Sequence, residues 1–250
     1  MVIPSTKILG IRLDLIDLQG TLNKTEQFIR TRKPHQIVVV NVAKVIRAQK
    51  NKFLKKIIDE ADLVGADGVP LVWISNLFKP KIPGRVNGTD LMEALVKLSS
   101  EKGYSIFFFG AEESVIKKVV NIYSQQYPDL KIAGYRNGYF SKDEEKSIVK
   151  EIRDSGADIL FIGFGTPKKE IFVKKHKEHL NVPVIHGVGG SFDVIAGKTK
   201  RAPVWMQKNG LEWFYRVLQE PARMWKRYLV TNSVFILYIL LQLLGIKKYE

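Results

Sequence analysis

At 250 residues, with 45% hydrophobic and 26% charged side chains, the chain has the composition of a folded globular protein and the length for one sizeable α/β core. It contains no cysteine, which excludes a disulfide framework and a thiolate metal site and is compatible with a reducing cytosol. The formal charge of +15 calls for an anionic partner, and nucleic acid, anionic lipid and phosphorylated substrates all qualify.

The first residues, MVIPSTKILGIRLD, show no basic segment leading into a long apolar run, so no secretory signal is expected. Residues 7–32 read as a β–α element. Six short apolar runs then follow as strand candidates: Gln36–Val40, Asp62–Ala66, Ser105–Phe109, Lys131–Tyr135, Asp158–Gly163 and Pro183–Gly187. Amphipathic stretches lie between them, including Thr89–Lys102, Glu112–Tyr127 and Lys142–Ser155. Runs such as IFFFG and ILFIGFG are apolar at nearly every position, as strands covered on both faces must be. Thr89 is expected to cap its helix, and Ser141 with Glu144 resembles a capping box. Asn87-Gly88-Thr89 matches a glycosylation acceptor pattern, which without an export signal reads as chance in a turn. The fold predicted is α/β, a Rossmann-like, mostly parallel sheet with helices on both faces.

After Gly197 the character changes, and the sequence divides into a catalytic core over 1–197 and a helical appendage over 198–250. The appendage holds ten Lys/Arg against three Glu, a net +7, beside the most apolar run of the chain, VFILYILLQLLGI at 234–246. Charge placed there favours an anionic membrane surface over nucleic acid. Pro221 suits the first turn of a new helix. The 13-residue run is too short to span a bilayer, which takes about 20 residues. An amphipathic or half-buried membrane helix is preferred to one packed on protein.

Ligands of open parallel sheets bind beyond the carboxyl ends of the strands. Asn41, Asp67, Gly110, the Gly163–Pro167 stretch and the Gly187–Gly190 turn all fall there. The glycines suit either a tight turn or a phosphate cradle, and neither cluster completes a dinucleotide fingerprint. Asp67 is the best general-base candidate, the alternative being an Asp that bonds its own turn. Arg85 can clamp a diphosphate or simply lie in an exposed loop. His176 and His179, three apart without an evident acidic partner, read as solvated rather than metal-binding. No Asp-x-Asp pair offers a divalent-metal clamp.

The run GVGGSFDVIAGKTKRAPVWMQKNGLEWFYRVLQEPARMWKRYL at 187–229 closely resembles the C-terminal signature of the WecG/TagA/CpsF glycosyltransferases. Asn41, GADGVPLVW at 65–73, GRVNGTDLM at 84–92, FFFGA at 107–111 and GFGTPKKE at 163–170 match that family's other blocks in order. The resemblance implies a metal-independent, inverting transferase without a bound cofactor. Its donor would be a UDP-sugar of the N-acetylmannosamine type or related, and its acceptor an undecaprenyl-diphosphate-linked sugar. It would work peripherally on the cytoplasmic face of the bacterial membrane, in teichoic acid, common antigen or capsule synthesis.

By the same resemblance Asp67 is the base and Asn41 and Arg85 line its pocket. Asp193 reads the nucleotide, with Gly110, Gly163, Gly165, Gly187, Gly189 and Gly190 giving backbone room. Arg216 and Arg223, with Lys226 or Arg227, meet diphosphate or the lipid acceptor. Residues 216, 223 and 227 share one face if the helices run on, though Pro221 stands between them. Lys169 stands where the family often carries Gln, and Val39 where many members have Thr. A pocket lysine suits a phosphate or an acidic sugar, which leaves donor identity open. A homo-oligomer is also left open. The rival readings are a Rossmann-type dehydrogenase or other nucleotide-binding module, disfavoured by its incomplete glycine fingerprint, and a nucleic-acid-binding protein.

Overall fold

The expected β–α element at the N-terminus is a β-hairpin followed by a helix. Strands β1 (Ser5–Ile8) and β2 (Ile11–Asp14) pair antiparallel, turned by Leu9 and Gly10, both at positive φ. This is the handedness that two-residue hairpin turns require. Ile8, Leu9, Ile11 and Leu13 are all buried, and the Val64 amide donates to Asp14 Oδ2 at 2.7 Å, seating the hairpin against the main sheet. Helix α1 (Leu18–Thr31) follows, capped by Asp17. This computed structural model describes residues 3–78 and 80–249, leaving aside the side chains of Lys208, Arg223, Met224, Lys226 and Arg227.

All six apolar runs form strands: β3 (His35–Val40), β4 (Leu63–Ala66), β5 (Ser105–Gly110), β6 (Lys131–Arg136), β7 (Ile159–Gly163) and β8 (Val184–Gly187). They make one parallel sheet in the order β4-β3-β8-β7-β5-β6. Strand alternation divides the core in two. Ile37, Val39, Phe108 and Phe161 face a cluster built with α1, α5 (Gly88–Lys102), α6 (Glu113–Gln126) and α9 (Ser191–Ile195). Val38 and Val40 face α2 (Val42–Lys50) and α3 (Lys52–Asp59), while Phe107, Phe109 and Leu160 face α7 (Glu145–Asp154) and α8 (Lys168–Leu180). The chain leaves β3 towards one face and the adjacent β8 towards the other. A crevice therefore opens above their carboxyl ends.

Two expected caps change. Asn87, not Thr89, caps α5, its Oδ1 accepting from the Thr89 and Asp90 amides, while the Thr89 hydroxyl meets Ser191 Oγ at 2.9 Å. Helix α7 begins only at Glu145, although Glu144 does accept from the Ser141 amide at 2.8 Å, as a capping box would have it.

The C-terminal segment forms α10 (Val204–Lys208), α11 (Glu212–Gln219) and α12 (Pro221–Leu243). Glu220, outside helical geometry, separates the last two, so the continuous helical face through 216, 223 and 227 is broken where proline enters. No helix among the described residues is long and apolar enough to cross a membrane. The apolar run is divided between two environments, as an amphipathic helix requires, and one of them is protein. Phe235 and Ile239, one turn apart, are each 3% exposed and pack with Leu71 and Ile82. Ile236, Leu237 and Leu240 remain half exposed.

Truncating Phe235 to alanine should therefore cost about 3–5 kcal/mol of stability and Ile239→Ala about 2–5, as buried core positions do. Chemical denaturation of the purified protein measures both. Losses below about 0.5 kcal/mol, as at surface sites, would show that α12 is not anchored on the core.

Candidate active site

Above the carboxyl ends of β3, β4, β7 and β8 lies a cleft of about 580 Å3. Ten of the candidate site residues line it, Asn41, Asp67, Gly163, Gly165, Lys169, Gly187, Gly189, Gly190, Asp193 and Arg216, together with Val39. A second lobe of about 140 Å3 adjoins it, lined by Arg85, Val69 and Pro70 on one side and by Trp213, Tyr228, Thr231 and Asn232 of the C-terminal helices on the other. Asn41, Asp67, Asn87 and Arg216 belong to both walls. Asp67 thus stands in the partition between a polar, glycine-lined chamber and one with aromatic walls.

Local structure fixes that carboxylate. The Asp67 amide continues the β4 ladder by donating to the Val40 carbonyl at 2.8 Å, and Gly68, at φ 140°, turns the chain sharply into α4 (Val69–Ser75). Asn87 Oδ1 is committed to the α5 amides of Thr89 (2.9 Å) and Asp90 (3.2 Å). Its Nδ2 therefore donates to Asp67 Oδ1, at 3.0 Å. The side chain is surrounded by protein yet open to the lobes. Desolvation raises its pKa above the usual carboxylate value, against the pull of Arg85, Arg216 and Lys44 and with a push from Glu212.

Asn87→Asp keeps the cap while replacing the donor by a second negative charge beside Asp67. The variant should fold normally, lose about tenfold in kcat, the value of one hydrogen bond of about 1.4 kcal/mol, and shift the acid limb of its pH profile upward. An unmoved profile would leave Asn87 a purely structural cap.

The remaining candidates fall into place unevenly. Asn41 caps α2, accepting from the Lys44 amide at 3.0 Å. Gly163 and Gly187 are needed for packing as well as room, since a Cβ would meet Phe192 at 2.4 Å and Lys169 at 2.6 Å respectively. Gly110 does not line either lobe. It pairs with Gly163 inside the sheet, where a Cβ would come within 2.7 Å of the Gly163 backbone. Arg85 lines the smaller lobe only, and it is not a loosely exposed loop residue. Its guanidinium donates to Glu212 at 2.6 Å and pairs with Asp90 at 3.3 Å, while Arg201 joins Asp90, Glu93 and Glu212. This network ties α11 to α5. Arg223, Lys226 and Arg227 lie in the first two turns of α12, their side chains outside the described residues.

Other residues of the walls were not singled out as site residues in the sequence. Lys44, Arg47, Asn87, Glu212 and Tyr228 line the lobes; the last three lie inside the blocks that carry the resemblance, and Lys44 and Arg47 lie outside them. His176 is buried rather than solvated, its Nε2 lying 3.1 Å from Glu145, a partner hidden by sequence distance, while His179 is exposed. Among the described residues no group of three or more His, Cys, Asp or Glu is placed to hold a metal ion.

A buried carboxylate between two chambers suits a group-transfer enzyme, and the comparisons specify which. The sequence matches the family model described as the glycosyl transferase WecG/TagA/CpsF family over residues 6–249. It is 36% identical over 193 residues, covering 77% of this chain and 74% of the relative, to the N-acetylglucosaminyldiphosphoundecaprenol N-acetyl-beta-D-mannosaminyltransferase of Bacillus subtilis (strain 168). It is 32% identical over 221 residues, covering 87% and 85%, to the protein of the same name from Bacillus spizizenii (strain ATCC 23059 / NRRL B-14472 / W23). The chain belongs to the WecG/TagA/CpsF family and is a glycosyltransferase.

Proposed function

We propose that this glycosyltransferase moves an N-acetylmannosamine-type sugar from UDP, with inversion, onto the N-acetylglucosamine of an undecaprenyl-diphosphate acceptor. The observation that carries the reading is Asp67 in the wall shared by both lobes. The nucleotide takes the polar chamber, near the Gly187–Gly190 turn and Asp193. The acceptor sugar takes the smaller lobe, against Trp213 and Tyr228. The acceptor hydroxyl gives its proton to Asp67 and its oxygen attacks the anomeric carbon. The bond from that carbon to the diphosphate oxygen breaks, and UDP departs with the electron pair. One base and one displacement give inversion, consistent with the β-mannosaminyl product in the relatives' names. Arg216, in both walls, is placed to meet the charge that develops on UDP.

Residues 198–250 act as an appendage that completes the site on a membrane. They supply Trp213, Arg216 and Tyr228 to the lobes, and they present the outer apolar residues Leu237 and Leu240 beside a net +7 charge. Such a face suits the anionic cytoplasmic surface where a polyprenyl acceptor is anchored.

A panel of UDP-sugars, offered with the lipid-diphosphate acceptor in anionic vesicles, tests this. UDP release should require both substrates, and the product should carry the opposite anomeric configuration to the donor. Retained configuration, or release with a sugar acceptor lacking the diphosphate lipid at equal rate, would reject the scheme. Leu237→Asp with Leu240→Asp should abolish co-sedimentation with the vesicles; undiminished binding would remove α12 as the docking element.

A further inference from the structure

One buried ionic cluster behind the cleft wall, which reaches the cleft through Lys44 and Lys169, has no task in that scheme. Lys44 of α2 and Lys169 of α8 share a single carboxylate oxygen: Glu170 Oε1 lies 3.0 Å from Lys44 Nζ and 3.3 Å from Lys169 Nζ. Thr166 Oγ1 donates to the same oxygen at 3.0 Å and accepts from Lys169 at 2.9 Å. The Val39 carbonyl takes a further bond from Lys44 at 2.8 Å. All three charged side chains are nine-tenths or more buried, at 8%, 9% and 2% exposure for Lys44, Lys169 and Glu170. Two cations therefore face one anion, and Arg47, donating to the Thr166 carbonyl at 3.0 Å, adds positive charge at the rim. Buried charge in excess is costly until something pairs with it.

Among the described residues Glu170 is the one carboxylate bonded within the cluster; Asp67, whose charge Lys44 also feels, stands apart in the partition. Glu170 is already ionised at neutral pH, since Lys44 and Lys169 outweigh its burial and bring its pKa to about 2. His186, beneath the cluster on β8, is pushed down to about 4 by burial and stays neutral. Lys169 itself is lowered to about 8 by burial and by Lys44, despite Glu170. Its position is specific. The lysine stem crosses the face of Gly187, and Nζ comes 4.0 Å from where a Cβ on Gly189 would stand. Lys44 follows β3, the strand between those of Asp67 and Gly187. The cluster thus lies between the base and the glycine turn, where the middle of a nucleotide-sugar would pass.

We propose that Lys44, Glu170 and Lys169 form a ready-made oxyanion subsite, filled by a negatively charged oxygen group of the donor, either its diphosphate or a carboxylate on its sugar. The proposal rests on the cleft being the donor site. The bound oxyanion neutralises the surplus cation and holds Lys169 protonated, so binding near pH 8 draws in a proton. Gly187 lacks a side chain because the lysine stem occupies that space.

The test is calorimetry on the full-length protein at pH 8, in two buffers of different protonation enthalpy. The ligands are uridine, UDP, a UDP-N-acetylhexosamine and a UDP-N-acetylhexosaminuronate. Wild type is compared with Lys169→Gln, the residue the family often carries in this block, and with Lys169→Met, thermal melting reporting that each is folded. Wild type should take up protons on binding, and both variants should lose that uptake together with about 10- to 100-fold in affinity, the range for a hydrogen bond to a charged group. A loss seen with UDP but not uridine assigns the diphosphate. A loss confined to the uronate donor assigns a sugar carboxylate. UDP binding that is indifferent to Lys169 in affinity and proton uptake, with no loss on the uronate, overturns the subsite alone. Failure of wild type to bind any of the nucleotides overturns the donor-site reading with it.

Discussion

Asp67→Ala is expected to lower turnover by about 10²–10⁴-fold, the usual contribution of a positioned base, while UDP still binds. Alanine removes the proposed proton acceptor from the partition but leaves the polar chamber's glycine turn, Asp193 and Lys169 in place. The wild-type pH profile gives an independent check. In the proposed scheme the ionised carboxylate is the working form, and burial raises its pKa. Activity should therefore be lost as pH falls through a value above the ordinary carboxylate pKa of about 3.9, and it should be retained above it. Asp67→Asn, isosteric and uncharged, should lack both the activity and that limb. Unchanged turnover in either variant would remove Asp67 from the chemistry.

The second large effect is expected at Arg216. Its side chain reaches the walls of both lobes and is close enough to Asp67 to stabilise the carboxylate. Arg216→Ala should cost about 10²–10³-fold in kcat, as removal of a preorganised donor to developing charge does. Lys in its place should restore only part, since an ammonium keeps the charge but not the fork of donors. Measured side by side, Arg85→Ala separates two roles. Arg85 is held by Glu212 and Asp90, so its loss should weaken the seating of α11 and raise the acceptor KM more than it lowers kcat. A kcat for Arg216→Ala equal to wild type would take this arginine out of the reaction.

The strands were legible because a parallel sheet covered on both faces must be apolar at almost every position, and each predicted run ends within one residue of its strand. The N-terminal hairpin was hidden for the same reason: Ile8, Leu9, Ile11 and Leu13 are all buried, which erases the alternation that marks a half-exposed ribbon. Asp67 and the glycine turns could be placed because topology alone puts them at strand ends. What the sequence could not show was pairing at a distance. Glu212 meets Arg85 across 127 positions, and Lys44 looks like any helical lysine until Glu170 is brought beneath it. The apolar tail was legible as an amphipathic helix, but composition does not reveal which of its stripes finds a protein neighbour. Phe235 and Ile239 do so, and Leu237 and Leu240 do not.

The shared wall has an electrostatic corollary. Asp67 is kept acidic only to the extent that Arg216, Arg85 and Lys44 attend to it, while Glu212 pushes the other way. A dianion that claims Arg216 and Lys44 withdraws two of those three cations and brings negative charge nearer. The carboxylate then becomes hungrier for a proton at the moment its neighbour chamber fills. Loading one compartment would thereby arm the other, and an idle enzyme would hold a weaker base than a charged one.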